Sequence, residues 1–143
     1  MEKRVLSIGH EKSFMVNAIE KGLEKEGYGV LMMEPDEDQI KALEKKPHIY
    51  LLYMGDLSDD DYELFEYLND AIDSERFLLY IIGNKEELDL AIKYIAKEKV
   101  QETYLRPLDV KRLTEQLNSV VEYSELDDEL KKKILIIDDD GTM

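Results

Sequence analysis

The chain has 143 residues, with 34 acidic and 19 basic side chains, and its formal net charge at pH 7 is −15. This length is enough for one ordinary domain with a sizeable core and too short for two. The negative charge argues against a nucleic-acid surface or an anionic membrane surface, because both would repel the chain.

The chain contains no cysteine, which excludes a disulfide framework, a thiolate nucleophile and a cysteine zinc site. Residues 1–4 precede only a short apolar run, so the N-terminus lacks the apolar region of a signal peptide. No apolar run approaches the roughly 18 residues that a membrane span needs. The sequence therefore predicts a cytoplasmic protein without a membrane segment.

Five short runs of branched and aromatic residues are predicted to form strands, because continuous apolar runs are typical of a parallel sheet buried on both faces. The runs cover residues 4–8, 28–33, 49–54, 77–82 and, more weakly, 103–105.

Amphipathic segments of helical length separate and follow these strands, at residues 13–26, 36–45, about 59–73, 86–97 and 110–126. Ser13 is a plausible N-cap of the first helix and Gly27 a plausible C-cap. From the helical spacing, the residues predicted to face the sheet are Phe14, Ala18, Ile19 and Leu23 in the first helix and Leu88, Ile92 and Ile95 in the fourth.

Alternating strands and helices with short connections predict an α/β fold, a doubly wound five-stranded parallel sheet with helices on both faces. Ligands of such folds bind beyond the carboxyl ends of the strands. The positions of interest are therefore Gly9 and His10, residues 53–56, residues 82–84 and Arg106.

Residues 5–14 have a near copy at residues 134–143, which aligns without a gap. The apolar strand is kept in both copies, but Asp138 and Asp139 stand where the first copy has Gly9 and His10. We expect a first domain over residues 1–123, a helical linker over 124–133, and the truncated start of a second domain over 134–143.

Several motifs, in the right order and spacing, resemble the receiver domains of bacterial two-component response regulators over residues 3 to about 123, and residues 132–143 resemble the opening of another receiver. They are Lys-Pro-His and an apolar strand over residues 46–53, Tyr-Glu-Leu at 62–64, Leu-Arg-Pro at 105–107, and Ile-Asp-Asp-Asp at 137–140. The resemblance implies a flavodoxin-like sheet with strand order 2-1-3-4-5.

Receivers transfer a phosphoryl group to an aspartate, with a divalent cation neutralising the charge that develops. In this sequence the acidic pair falls on Gly9 and His10, the acceptor on Tyr53, the hydroxyl on Ile82 and the lysine on Arg106. The aromatic switch position falls on Thr103. The resemblance therefore implies a degenerate, non-catalytic receiver without a metal or other cofactor.

Three alternatives remain open from the residues alone. Asp56 could be a displaced phosphoacceptor, Arg106 and His10 could bind a small anion, and Arg106 could instead pair with Glu11 or Asp56. Asp56 and Asp59–Asp61 do not have the spacing of an EF-hand, so a solvated loop that caps the third helix is the simpler interpretation. Asp138 and Asp139 match the metal-binding pair of the truncated second receiver, which we expect to be inert without its other strands.

Receivers commonly dock partners or dimerise through the fourth helix, fifth strand and fifth helix. A mixed aromatic and basic patch is predicted there, formed by Tyr94, Lys97, Tyr104, Lys111 and Arg112. The expected partners are other signalling proteins or a second copy of the chain, and not a nucleic acid or a membrane.

Overall fold

The computed structural model describes residues 3–10, 14–106 and 109–123. Five parallel strands form one sheet in the order β2-β1-β3-β4-β5. The strands are β1 Arg4–Ile8, β2 Gly29–Met33, β3 Ile49–Tyr53, β4 Leu78–Gly83 and β5 Glu102–Leu105. The predicted fold class and strand order are confirmed.

Helices connect successive strands and follow the last one. They are α1 Phe14–Lys25, α2 Glu37–Lys41, α3 Tyr62–Glu75, α4 Lys85–Tyr94 and α5 at residues 110–123, with 3-10 turns at Asp59–Asp61 and Lys97–Lys99. The second helix is shorter than the predicted 36–45. Its only fully buried residue is Ile40, so packing supports little more than one turn.

The two faces of the sheet carry two apolar layers, because successive side chains of a strand point to opposite faces. Leu6, Ile8, Tyr50 and Leu52 belong to the layer under α2, α3 and α4, and Val5, Ile49, Leu51 and Tyr53 to the layer under α1 and α5. β1 and β3 are thus enclosed on both sides, which explains their uninterrupted apolar sequences.

Two residues predicted to face the sheet lie on the surface. Phe14 is 85% exposed, because α1 buries Val16, Ile19 and Leu23 instead. Ile92 is 38% exposed, because the neighbouring Ala91 occupies the buried position of α4.

Some predictions concern residues outside the described part of the chain. They are the predictions for Ser13, for Pro107 and for residues 124–143, which include the linker and the acidic pair Asp138 and Asp139. Within the residues that are described, no helix is long and apolar enough to cross a membrane.

Leu6→Ala should lower the free energy of unfolding by about 3 kcal/mol, because Leu6 is fully buried on the interior strand β1 and its truncation leaves a cavity. Leu105→Ala is the matched control on an edge strand, where the leucine is 62% exposed and the change should stay within about 0.5 kcal/mol. Urea unfolding measures both variants. Equal losses would contradict the burial assigned to these two strands.

Candidate functional site

The carboxyl ends of β1, β3, β4 and β5 meet at one edge of the sheet and bring together four of the predicted site residues. Tyr53 and Ile82 are direct neighbours across the β3–β4 pair. The backbone amide of Arg106 donates to the carbonyl of Gly83, at 3.1 Å. A β-carbon at position 9 would lie only 3.2 Å from Cβ of Tyr53, so Gly9 borders the same place.

Arg106 connects the site across two strands and a helix. Its Nη1 donates to the hydroxyl of Tyr53 at 3.0 Å, and its Nη2 donates to Oε1 of Glu87 at 2.7 Å. The guanidinium carbon also lies 5.5 Å from the centroid of the Tyr53 ring. The hydrogen bond with Tyr53 raises the pKa of Arg106, and the carboxylate of Glu87 adds to the effect.

Glu87 is a site residue that the sequence reasoning missed. Asn84 caps α4 by accepting from the amide of Glu87 at 2.8 Å, and Oε1 of Glu87 accepts from the amide of Asn84 at 2.8 Å. This capping box fixes the carboxylate beside Arg106. The Asn-x-x-Glu spacing directly after β4 is the signal that could have revealed it.

Two glycines allow these side chains to come together. A β-carbon at position 83 would lie 2.9 Å from Cβ of Glu87 and 3.0 Å from Cβ of Met54. A β-carbon at position 55 would lie 2.5 Å from Cε1 of Tyr53. Because real β-carbons do not approach other atoms so closely, the positions of Glu87 and of the Tyr53 ring depend on glycine at these two places.

His10 has a different partner. Its Nδ1 lies 3.5 Å from Oε2 of Glu34, just beyond β2, and both side chains are close to half exposed. Arg106 pairs with Glu87 and not with Asp56, so that predicted pairing is wrong, and Glu11 lies outside the described residues. Arg106 and His10, which were expected to bind an anion together, therefore each pair with a different carboxylate, Glu87 and Glu34 respectively.

The described residues of this site do not fit a magnesium ion, which prefers several oxygen ligands in octahedral geometry. Gly9 offers no side chain, Ile82 is buried and apolar, and a guanidinium cation occupies the neighbouring position. Across the described chain, no three histidine, aspartate or glutamate side chains are grouped as metal ligands.

The acidic loop before α3 contains a cap, but it caps the 3-10 turn Asp59–Asp61 that leads into α3, and Asp61 at the N-cap of α3 makes no side-chain cap hydrogen bond. Ser58 and Asp61 form a capping box around the 3-10 turn, in which the carboxylate of Asp61 accepts from the amide of Ser58 at 2.9 Å. Asp59 accepts from Lys93 at 3.0 Å and Tyr94 at 2.9 Å, and the hydrogen bond from Lys93 lowers the pKa of Asp59. Asp56 is exposed, with a left-handed φ of 65° in the turn after β3.

The predicted interaction patch is only partly present. Tyr104 is 5% exposed and packs under α5, which removes it from the surface. Tyr94 is half-buried, and its ring stacks on Phe65 of α3 with the centroids 5.7 Å apart. The three basic members, Lys97, Lys111 and Arg112, are exposed.

Three solved structures illustrate what this chain is similar to. A response regulator signal receiver domain from Bermanella marisrubri matches with a TM-score of 0.65 and 19% identity, over 85% of this chain and 99% of that one. The beryllofluoride-activated NtrC4 receiver domain dimer matches with a TM-score of 0.59 and 21% identity, over 85% and 98%. The chemotaxis protein CheY4 of Vibrio cholerae matches with a TM-score of 0.63 and 14% identity, over 84% and 99%.

No protein-family model matches the chain, and no curated protein matches it. The sequence identities to the three solved structures are low, so these matches establish the fold. The chain has the flavodoxin-like fold of receiver domains, as the sequence motifs predicted.

Glu87→Ala should lower the free energy of unfolding by about 2 kcal/mol, because it removes a hydrogen-bonded partner of a partly buried cation and half of the α4 capping box. Glu86→Ala is the matched control, since Glu86 is an exposed neighbour in the same turn, and its effect should stay within about 0.5 kcal/mol. Urea unfolding compares the two. A loss no larger for Glu87 than for Glu86 would contradict the assigned contacts.

Proposed function

We propose that this chain is a receiver-like signalling module of a two-component response regulator that is not phosphorylated on an aspartate and is not an enzyme. It acts through contacts with other proteins. The observation that carries the proposal is the Tyr53–Arg106–Glu87 arrangement at the place where a receiver accepts its phosphoryl group.

Tyr53 replaces the acceptor with a group of different chemistry. A phosphoacceptor aspartate offers a carboxylate, whereas the hydroxyl of Tyr53 is a neutral group that already accepts a hydrogen bond from Arg106. A phenol attacks phosphorus only with a base to remove its proton, and its hydrogen-bonding neighbour is a cation that cannot act as a base.

The pairing of Arg106 with Glu87 also argues against phosphoryl transfer. The positive charge of Arg106 is balanced by Glu87 at 2.7 Å, so it is already engaged where a receiver's lysine would contact the phosphoryl group. The site supports a fixed structure better than phosphoryl transfer.

The proposal predicts that the chain takes up no phosphoryl group. After incubation with magnesium and acetyl phosphate, intact mass spectrometry should show the unmodified mass, and beryllofluoride should leave the amide NMR spectrum unchanged. The NtrC4 receiver, solved in its beryllofluoride-activated form, is the positive control under the same conditions. A stoichiometric phospho-adduct on this chain would overturn the proposal.

The same experiment separates the alternatives. If an adduct forms and Asp56→Asn abolishes it, the displaced acceptor is correct. If no adduct forms but inorganic phosphate raises the melting temperature, and Arg106→Gln removes that rise, the chain is an anion sensor.

We further propose that Lys97, Lys111 and Arg112 mark a docking surface for another signalling protein or a second copy of the chain. These exposed cations form a basic patch on a chain of net charge −15, so an acidic patch on the partner is electrostatically complementary to them, whereas the net charges of two copies repel one another. The NtrC4 receiver domain, which has the same fold, was solved as a dimer.

Sedimentation velocity at moderate ionic strength, where salt screens the repulsion between two copies of net charge −15, should detect self-association that weakens severalfold in the double variant Lys111→Glu with Arg112→Glu. The matched control is Lys21→Glu with Lys25→Glu, which makes the same charge change on exposed positions of α1. Equal effects of the two double variants would show that net charge, and not this surface, controls association.

A further inference from the structure

A groove lies between the beginning of β4 and β5 and the last turns of α5, at the opposite end of the strands from Arg106. Its inner part is a cavity of about 220 Å³ lined by Tyr80, Gln101, Glu102, Gln116, Ser119 and Val120. Leu78 and Tyr123 join three of these residues around an adjoining cavity of about 450 Å³. These sizes are in the range of small-molecule sites, or just below it.

Tyr80, which lines the inner cavity, has a buried hydroxyl without a partner among the described residues. Tyr80 is 1% exposed, and among the described residues its hydroxyl has no hydrogen-bond partner. Burial raises the pKa of Tyr80, so the hydroxyl remains protonated and able to donate at neutral pH. Buried hydroxyls normally have a partner, so a group that is absent from the protein itself is the expected acceptor.

The neighbouring tyrosines of the same apolar layer have the hydrogen-bond acceptor that Tyr80 lacks among the described residues. The hydroxyl of Tyr28 donates to Oδ1 of Asn118 at 2.7 Å, and that of Tyr104 donates to Oε1 of Gln116. The last helix thus provides a side-chain amide for each of these two hydroxyls. Tyr80, stacked beside Tyr104 with the ring centroids 6.3 Å apart, has no such partner among the described residues and is one of the residues that line the cavity.

The other lining residues define the chemistry of a ligand. Leu78, Val120 and the largely exposed ring of Tyr123 make the outer part apolar. The carboxylate of Glu102 lines the inner part, and together with the strongly negative chain it disfavours anions. An uncharged ring with one hydrogen-bond acceptor satisfies both parts.

We propose that this groove binds an uncharged aromatic molecule whose polar substituent accepts a hydrogen bond from Tyr80 and whose ring packs against Val120 and Tyr123. The site is independent of the receiver-like function, because it uses the amino ends of the strands. Phenol is the smallest probe that carries both features, and toluene is the same ring without the acceptor.

The test is an NMR titration of the full chain with phenol, toluene and benzoate. Phenol should cause saturable shifts at the backbone amides of Gln101, Ser119 and Val120 and at the side-chain amide of Gln116, and benzoate should bind more weakly. In Tyr80→Phe the ratio of phenol affinity to toluene affinity should fall about fivefold, the effect of one ordinary hydrogen bond. The variant should fold normally, because it removes a hydroxyl that has no partner among the described residues.

Tyr50→Phe is the matched control. It removes another unpartnered buried hydroxyl, in the layer on the opposite face of the sheet, and should leave the affinity ratio unchanged. An unchanged ratio in Tyr80→Phe would mean that a water molecule satisfies Tyr80, and absence of saturable shifts would mean that no such site exists. Contacts in nuclear Overhauser spectra between Val120 and the apolar residues 134–137 would show that the chain's own continuation fills the groove. Each of these three results overturns the proposal.

Discussion

The hydrogen bonds of the Arg106 guanidinium hold together the edge of the sheet where receivers carry out their chemistry. One side chain connects the end of β5 to Tyr53 on β3 and to Glu87 on α4. A planar guanidinium can bind two partners in fixed directions, whereas an ammonium group acts as a point charge. Arg106, just past the end of β5, therefore forms a fixed connection between three elements of the fold.

This connection depends on small residues around it. Gly83 lets Glu87 approach the strand end, and Gly55 leaves room for the ring of Tyr53. Gly9 removes a side chain that would press against Tyr53. The glycines and the side chains beside them are thus physically coupled, because each glycine leaves space for a neighbouring β-carbon or ring.

The sequence predicted the architecture well because parallel strands buried on both faces need continuous apolar runs. The bounds of β1 and the strand order came directly from such runs and motifs. The partner of Arg106 was not predicted, because in the sequence Glu87 resembles any glutamate in the first turn of a helix. Its position beside Arg106 becomes evident only when β4 and β5 are aligned. Tyr104 was misplaced for a related reason, since only the register of β5 decides which face of an edge strand its ring occupies. The predicted burial of Phe14 was wrong because several apolar residues compete for the buried face of α1, and the helix is oriented so that Val16 is buried.

The two ends of the sheet now differ in a way that follows from hydrogen-bond satisfaction. At the carboxyl end, the hydroxyl of Tyr53 is matched by Arg106, whose charge is in turn matched by Glu87. At the amino end, on the same face of the sheet, the hydroxyl of Tyr80 is unmatched beside a cavity. A polar group that is buried and satisfied stabilises one structure, and a polar group that is buried and unsatisfied gains free energy from whatever supplies its partner. The guanidinium Nε of Arg106 is also buried without a partner among the described residues, so the two ends differ in that the carboxyl end pairs its charges within the protein, whereas the amino end has an uncharged donor beside a cavity.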